Sequence, residues 1–488
     1  MPLSIAHPTP NPEEPLQALR PLCVDLDGTL VKSDTLVDSL LALLRNRPAQ
    51  VFKLPGRVLH GKAAFKAFVT ESVSLDVTRL PYNQTLLKFL QREHANGRDL
   101  YLATGADVRL ARRVADHLGI FAGVLGSDGV TNLTGNKKLD TLRSRLGSSG
   151  FDYIGNDTPD VPLLAHATEP MVANPTLRLR MKLRARGIHP AQHFVDRAPA
   201  LISLLKSVRL HQWAKNLLVF VPLLCSHALT AGKLLTALAA FFCFSLTASS
   251  AYIVNDLADI EADRRHPQKH QRPFAAGDLA AFTGISIAAI FLLMGLVGAA
   301  LLPGRFFAWL LVYLATTLAY TLFLKRFALV DVLVLSGLYI LRLLAGSSVT
   351  QTPISHWLAG FSMFLFLSLA LVKRFAELKN LRTANAMPAN GRGYLVTDLD
   401  QLRSFGTASA YAAVVVFAIY ITGPDVVKLY RQPNLLWLSV PLITLWLNRV
   451  WLLASRGQLN EDPLAFALTD PMSLIIGIAV AIVALLAI

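Results

Sequence analysis

Hydrophobic positions are spread unevenly along this chain. Up to about Pro199, apolar residues come in short runs broken by polar ones, as in a mixed globular domain; beyond it, long apolar runs dominate. In the first half, residues 22–27 (Leu-Cys-Val-Asp-Leu-Asp) run into Gly28-Thr29, predicting a short buried strand that ends in two carboxylates and a tight turn. Asp99-Leu-Tyr-Leu-Ala, ending at Thr104-Gly105, predicts a second strand, and Phe151-Asp-Tyr-Ile, ending at Gly155-Asn156-Asp157, a third. Helical stretches separate the three. The expected fold is therefore an α/β domain with a doubly wound parallel sheet, whose ligands bind beyond the carboxyl ends of the strands.

In the second half, apolar runs fall near 215–229, 234–254, 279–301, 306–324, 330–350, 356–372, 405–422, 434–453 and 471–488. A helix needs ~20 residues to cross ~30 Å of hydrocarbon. Most runs reach that length, so an all-α membrane domain of about nine spans is expected. With the first half inside, the loops near 255–278, 325–326, 373–404 and 449–470 are cytoplasmic and carry fourteen Lys/Arg. The opposite loops carry only Lys233, Arg305, Lys428 and Arg431.

Composition agrees with this division. Of 488 residues, 53% are hydrophobic and 16% charged, and mean hydropathy is +0.45; soluble chains average ~25% charged. A net charge of +15 would suggest nucleic acid in a soluble protein. Here basic loops beside membrane spans explain it, and no nucleic-acid partner is expected. Cys23, Cys225 and Cys243 have no metal or redox spacing. Residues 1–20, with several prolines and no apolar core, read as a disordered leader and not a signal peptide.

The polar ends of the predicted strands suit phosphoryl transfer. Asp25 could attack phosphorus, and Asp27, on the same side of an extended segment, could shuttle the proton. A hydroxyl at Thr104 and a cation at Lys137 or Lys138 would hold the transferring oxygens, and Asp157 or Asp160 would complete a Mg²⁺ site. Asp25-x-Asp27-Gly-Thr-Leu resembles the first motif of the haloacid dehalogenase superfamily. Thr104-Gly105 resembles the second, Gly135-x-x-Lys138-x-x-x-Leu142 the third, and Gly155-Asn-Asp-x-x-Asp160 the fourth. The resemblance implies a phosphatase over residues 21–177 with nucleophile Asp25, acid/base Asp27, and phosphate bound by Thr104 and Lys138. It further implies Mg²⁺ on Asp25, the Asp27 carbonyl and a fourth-motif acid, beneath a helical cap over about 32–81. Members commonly carry an Asp after the fourth-motif Gly, where this chain has Asn156.

Between the halves, Arg178, Arg180, Lys182, Arg184 and Arg186 alternate with Leu, Met and Ala. Residues 178–204 read as a basic linker, either solvated or lying on anionic lipid. After the second span, Asn255, Asp259 and Asp263 are spaced by four, and Asp256 stands three and seven residues before the last two. On a helix these acids line one face and repel one another, so a cation must offset them. A divalent metal bridging a pyrophosphate is the economical answer. Lys215, Tyr320, Lys325, Asp331, Lys373, Arg374 and Glu377 sit at cytoplasmic span ends in this topology, and Arg342 lies well inside the fifth span, where a charge is costly.

The Asn255-Asp256-x-x-Asp259-x-x-x-Asp263 pattern resembles the UbiA superfamily of intramembrane prenyltransferases, here over 205–488. Arg209-x-x-Gln212-Trp213-x-Lys215-Asn216, Asp263-Arg-x-His266-Pro267, Arg272-Pro273-x-Ala275-Ala276-Gly277, Tyr320-x-x-x-Leu324-Lys325-x-x-x-x-x-Asp331, Arg342-x-x-Ala345-Gly346 and Lys373-Arg374-x-Ala-Glu377-Leu are similar to one branch, the polyprenyl-phosphate phosphoribosyltransferases. That branch implies phosphoribosyl pyrophosphate as donor, a polyprenyl phosphate as acceptor, and Mg²⁺ on Asp256, Asp259 or Asp263. Asn255, Arg264, Arg272, Tyr320, Lys325, Asp331, Arg342, Lys373, Arg374 and Glu377 would bind substrate, with Lys325, Arg342, Lys373 and Arg374 holding phosphates and Lys215 the acceptor phosphate. The setting is a bacterial-type inner membrane, and the cytoplasmic phosphatase would remove the 5-phosphate of the product. The alternatives are an aromatic or quinone-type prenyltransferase, and a lipid-binding or transport scaffold. Oligomeric state is not legible.

Overall fold

The computed structural model of the chain describes residues 20–147, 150–227, 229–383, 393–459 and 463–488. The expected leader lies outside them apart from its last residue. Two compact units are present. One contains the chain up to Ala200 together with Pro267–Ala281; the other contains Leu201–His266 and Phe282–Ile488.

The first unit is built on a six-stranded parallel sheet: β1 (Leu22–Val24), β2 (Leu100–Asp107), β3 (Gly123–Ser127), β4 (Asp152–Gly155), β5 (Pro170–Ala173) and β6 (Gln192–Phe194), in the order β3-β2-β1-β4-β5-β6. Leu22 and Val24 point into one core with Leu100, Leu102 and Ile154, while Cys23 points into the other with Ala103, Tyr153 and Val172. Both faces are covered by helices, which is why the strands read as continuous apolar runs without alternation. The chain steps outward from β1 through β2 to β3, then crosses to β4 on the other side of β1. This reversal opens a crevice at the carboxyl ends of β1 and β4, where such sheets bind ligands. Val24 pairs with both Leu102 and Ile154, so Asp25, Thr104 and the loop after Gly155 emerge together. The segment expected as a cap is helical over Thr35–Asn46, Pro48–Val51, Leu54–Leu59 and Lys62–Ser72. Asp34 caps the first of these helices, accepting from the amides of Leu36 and Val37.

Two boundaries differ from the sequence reading. The stretch 178–200, read as a linker, is folded: Leu177–Ala185 is a helix whose Leu179 and Leu183 are buried in the core, and β6 pairs with β5. The exposed residues between those two leucines are mostly basic, which hid the helix behind a linker-like composition. Pro267–Ala281 also packs into this unit. Lys32 Nζ lies 3.3 Å from Asp278 Oδ1, and a Cβ at Gly277 (φ +72°) would meet Lys32 and Pro81.

The second unit is helical. Among the described residues, Ala231–Ala258, Ala281–Ala300, Val330–Thr350, His356–Arg382, Val396–Ile421 and Pro433–Ser455 are long and apolar enough to cross a bilayer, and Phe306–Leu322 and Pro471–Ala487 are shorter apolar helices. The first expected span, 215–229, is not one continuous helix. A 3₁₀ stretch, Leu210–Phe220, leads into the short helix Val221–Cys225, with Pro222 in its first turn. His356–Thr383 runs well past the predicted end at 372, because Arg374 and Phe375 are buried and continue the packed face.

Candidate active sites

In the sheet unit, Asp25 follows β1 directly and is buried. Its Oδ1 accepts from Lys138 Nζ at 2.9 Å, while Oδ2 accepts from the Thr29 hydroxyl at a longer 3.4 Å. Lys138 stands in the first turn of the helix Asn136–Leu146, and its ammonium also reaches the Tyr153 hydroxyl at 2.9 Å and Asp160 Oδ1 at 3.4 Å. Asp160 is fully engaged: Oδ1 also takes the Tyr153 hydroxyl at 2.8 Å, and Oδ2 takes the amides of Asn156 and Asp157 at 3.0 and 3.2 Å. Thr104 is buried with Oγ1 accepting from the Ala106 amide at 3.0 Å. Asp27 Oδ1 accepts from the Thr35 amide at 2.8 Å, at the N-terminus of a helix. Asp157 Oδ1 takes the Thr176 hydroxyl at 2.9 Å, whereas the Asn156 side-chain amide lies over Gly28 and fills the space that a Cβ there would need, at a φ of +73° that already favours glycine. Of the fourth-motif side chains, Asn156 is thus the one set against the first-motif turn.

Burial shapes the electrostatics here. It pushes Asp25 up to about 6 against the opposing pull of Lys138. Burial, reinforced by Asp34, pushes Asp27 up to about 7. For Lys138 burial alone would act downward, but Asp25 and Asp160 outweigh it and hold the ammonium above the ordinary lysine value. A cavity of about 70 Å³ lies beside Asp27, lined also by Asp34, Thr35, Lys66, Thr70 and Asp107. Lys66 comes from the cap helix Lys62–Ser72 and donates to the Gly105 carbonyl at 2.6 Å and to Asn132 Oδ1 at 2.9 Å.

In the helical unit, Asn255 and Asp256 occupy the last turn of Ala231–Ala258, Asp259 sits at the break, and Asp263 lies on the short helix Ile260–Arg265. The amides of Asp259 and Asp263 still donate four residues back, at 3.0 and 2.8 Å, so the acids keep the expected helical spacing across the break. Asp256 is buried and held in a two-pronged grip by Arg209, Nε to Oδ2 at 3.2 Å and Nη2 to Oδ1 at 2.5 Å. Asp259 takes Lys325 Nζ on both oxygens, at 3.2 and 3.0 Å. Asp263 and Arg264 are buried.

A second polar cluster links three helices. Arg374 and Asp331, 2% and 0% exposed, pair at 2.5 Å; Arg374 also donates to Glu377 at 2.6 Å and to the Tyr320 hydroxyl at 2.9 Å, and Tyr394 bonds Asp331. Arg342, 3% exposed, donates to Asn216 Oδ1 at 2.8 Å, the Leu338 carbonyl at 2.5 Å and the Tyr313 hydroxyl at 3.2 Å. The rings of Tyr313, Phe244 and Tyr339 surround its guanidinium at 4.9, 5.3 and 5.5 Å. Among the described residues no carboxylate pairs with it. Lys215 precedes Asn216 in the 3₁₀ stretch, and Lys373 stands beside Arg374, both half-buried. Arg272 falls in Pro267–Ala281 and so belongs to the sheet unit.

The profile of the UbiA prenyltransferase family matches residues 218–475, more than half of the chain. The chain belongs to that family. As a UbiA family member with six apolar helices of spanning length, it is a multi-pass membrane protein with a transferase domain. An uncharacterized protein of Sinorhizobium fredii, y4nM, is 36% identical over 94% of this chain and 90% of its own length. The decaprenyl-phosphate phosphoribosyltransferase of Mycobacterium tuberculosis is 35% identical over 47% of this chain and 78% of its own. A solved UbiA homologue from Archaeoglobus fulgidus bound to DMAPP and Mg²⁺ is similar at 17% identity and a TM-score of 0.46, covering 57% of this chain and 96% of that one.

Several residues bonded into these clusters are not marked by the sequence alone. Arg209 was legible as part of a motif, yet its partner Asp256 lies 47 positions away and no local signal joins them. Tyr313, Tyr394 and Lys66 carry no spacing signal at all. Tyr153 falls in an apolar strand run that does not mark its hydroxyl as a partner of Lys138 and Asp160.

Proposed function

We propose that the membrane unit transfers a 5-phosphoribosyl group from phosphoribosyl pyrophosphate to a polyprenyl phosphate, and that the sheet unit is a haloacid dehalogenase-type phosphatase that removes the product's 5-phosphate. The observation carrying the transferase reading is the acid-lined helix break in which Asp256 and Asp259 are each neutralised by a cation from another element, Arg209 and Lys325. It is supported by 35% identity to a relative named decaprenyl-phosphate phosphoribosyltransferase. The phosphatase reading rests on Asp25 and Lys138 at the sheet's switch point.

Mg²⁺ fits both donor sets. It prefers hard oxygens and takes one or two carboxylates together with phosphate oxygens and water, not an all-protein cage. One or two of Asp256, Asp259 and Asp263, beside Asn255, would hold it in the membrane unit together with donor phosphate oxygens; Asp25, the Asp27 carbonyl and Asn156, with Asp157 alongside, would hold it in the sheet unit. Bound there, it supplies positive charge to a leaving pyrophosphate and to a transferring phosphoryl group.

The chain's own groups do the rest. Arg209 and Lys325, beside the acids, would turn charge toward donor oxygens, and Arg264, Tyr320 and Lys373 of the same unit, with Arg272 of the motif set, would add to it. Arg342 and Lys215 would hold the lipid phosphate. An oxygen of that phosphate attacks the anomeric carbon as the bond to pyrophosphate breaks. In the sheet unit, Oδ2 of Asp25, the oxygen not paired with Lys138, attacks phosphorus as the bond to the ribose 5-oxygen breaks, and Asp27 protonates that leaving oxygen and later takes a proton from water. Lys138 and Thr104 steady the phosphoryl oxygens, while Asp160 anchors Lys138 and the loop carrying Asn156. Arg374, Asp331 and Glu377 fix the helices that carry these groups. The sheet unit faces the cytoplasm of a bacterial-type inner membrane in this reading, the side on which the basic loops fall.

The test incubates membranes containing the protein with labelled phosphoribosyl pyrophosphate and polyprenyl phosphate. Label should enter the lipid phase without its 5-phosphate, and Asp25→Asn should leave the 5-phosphate in place. Label absent from lipid, with turnover of a prenyl diphosphate instead, contradicts the transferase reading.

A further inference from the structure

The helix Leu177–Ala185 has two very different sides. Leu179 and Leu183 are buried in the sheet unit's core, at 0% and 3% exposed. The other side carries Arg178, Arg180, Lys182 and Arg184, all exposed, and Arg186 follows at its end. None of these five cations forms an ion pair among the described residues, and the helix contains no acid. Leu177 and Met181, one turn apart, stand out among them at 72% and 55% exposed. Local helix energetics do not account for the pattern. The macrodipole favours cations at the last turn and acids at the first, yet Arg178 and Arg180 crowd the first turn.

We propose that this surface binds an anionic lipid bilayer. Cations interleaved with protruding apolar side chains suit a headgroup region, where charge meets phosphate and the apolar groups reach the acyl boundary. A nucleic-acid surface has no use for an exposed Leu177 and Met181. The chain enters its membrane unit at Leu201, sixteen positions after Ala185, so lipid is always at high local concentration.

The helix is also tied to the candidate phosphatase site. Its capping residue Thr176 donates its amide to the Asn156 carbonyl at 3.0 Å and its hydroxyl to Asp157 Oδ1 at 2.9 Å. A bilayer-bound helix therefore holds the fourth-motif loop at the interface and selects phosphomonoesters borne on lipid over those in water. This second consequence rests on the phosphatase reading; the lipid surface does not.

The experiment uses the full-length protein in nanodiscs, either of phosphatidylcholine alone or rich in phosphatidylglycerol, and follows amide hydrogen exchange across 177–186. Each cation near an anionic surface is worth roughly a fivefold change in affinity, so exchange should slow roughly tenfold or more with phosphatidylglycerol. Protection should vanish in molar salt and on combining Arg178→Gln, Arg180→Gln, Lys182→Gln and Arg184→Gln. In the same discs that variant should lose most of its hydrolysis of lipid-borne phosphoribose and keep its hydrolysis of ribose 5-phosphate. Equal exchange in both lipids, or protection by added RNA or acidic protein but not by phosphatidylglycerol, overturns the lipid surface. Normal exchange behaviour with no phosphate released from either substrate removes the phosphatase reading and leaves the surface standing.

Discussion

Replacing Arg342 with Met separates a structural cation from a working one. The guanidinium carries five N–H donors; Asn216, Leu338 and Tyr313 take hydrogen bonds from all three nitrogens, and three aromatic faces surround it. Each bond contributes about 1 kcal/mol net and each ring about 0.5–2 kcal/mol when desolvated. Against this stands the cost of burying a guanidinium without a carboxylate, which Arg342→Met removes. Asn216 keeps its bond to Ser245 at 2.9 Å in the variant. The net change in stability is therefore small, about 1–3 kcal/mol. A charge-assisted bond to a substrate phosphate is worth about 1.5–3 kcal/mol, or roughly 10- to 150-fold in kcat/KM. Initial rates of lipid labelling, with polyprenyl phosphate and phosphoribosyl pyrophosphate varied in turn, should show that loss mainly against polyprenyl phosphate. Arg342→Lys should fall between, because it keeps the charge and loses the planar fork. Less than a twofold effect with an unchanged melting temperature would refute the reasoning.

Arg374 should behave in the opposite way. Arg374→Met strands Asp331 and Glu377, costing about 3–5 kcal/mol and lowering the melting temperature by roughly 10 °C, with partial recovery on adding Asp331→Leu; lost activity at an unchanged melting temperature would instead assign it to phosphate binding. Metal and pH are coupled in the sheet unit. With Asp25 near 6 and Asp27 near 7, the metal-free fold holds protons that the unfolded chain releases above about pH 4, so these groups lose stability as pH rises through 4 to 7. Mg²⁺ needs the ionised carboxylates and should raise the sheet unit's melting temperature clearly at pH 8 and hardly at pH 5; equal shifts at both pH values contradict this.

Much of the sheet unit was legible because its strands are buried on both faces and end in polar residues: Leu22–Val24, Leu100–Asp107 and Asp152–Gly155 were all located. Its outer parts were not. Leu177–Ala185 buries only two side chains, and β6 is three residues long, so neither gives a hydrophobic period. Pro267–Ala281 joins this unit through Lys32 and Asp278, 246 positions apart, which no local pattern records. In the membrane unit, apolar length located the helices, but Pro222 and the 3₁₀ turns before it broke the first expected span. The acids at 256 and 259 were legible from spacing; the cations that neutralise them were not paired with them, since pairing is set by helix packing.

The most direct measurement replaces Asp256 and Asp259 together by Asn in the full-length protein and follows transfer of label from phosphoribosyl pyrophosphate into polyprenyl lipid. Each isosteric amide keeps one accepting oxygen toward Arg209 or Lys325 and loses the other acceptor together with the charge. The account predicts that lipid labelling falls to background at any Mg²⁺ concentration, while Asp25-dependent release of phosphate from ready-made lipid-linked phosphoribose continues. Labelling that persists at the wild-type rate in this variant would contradict it.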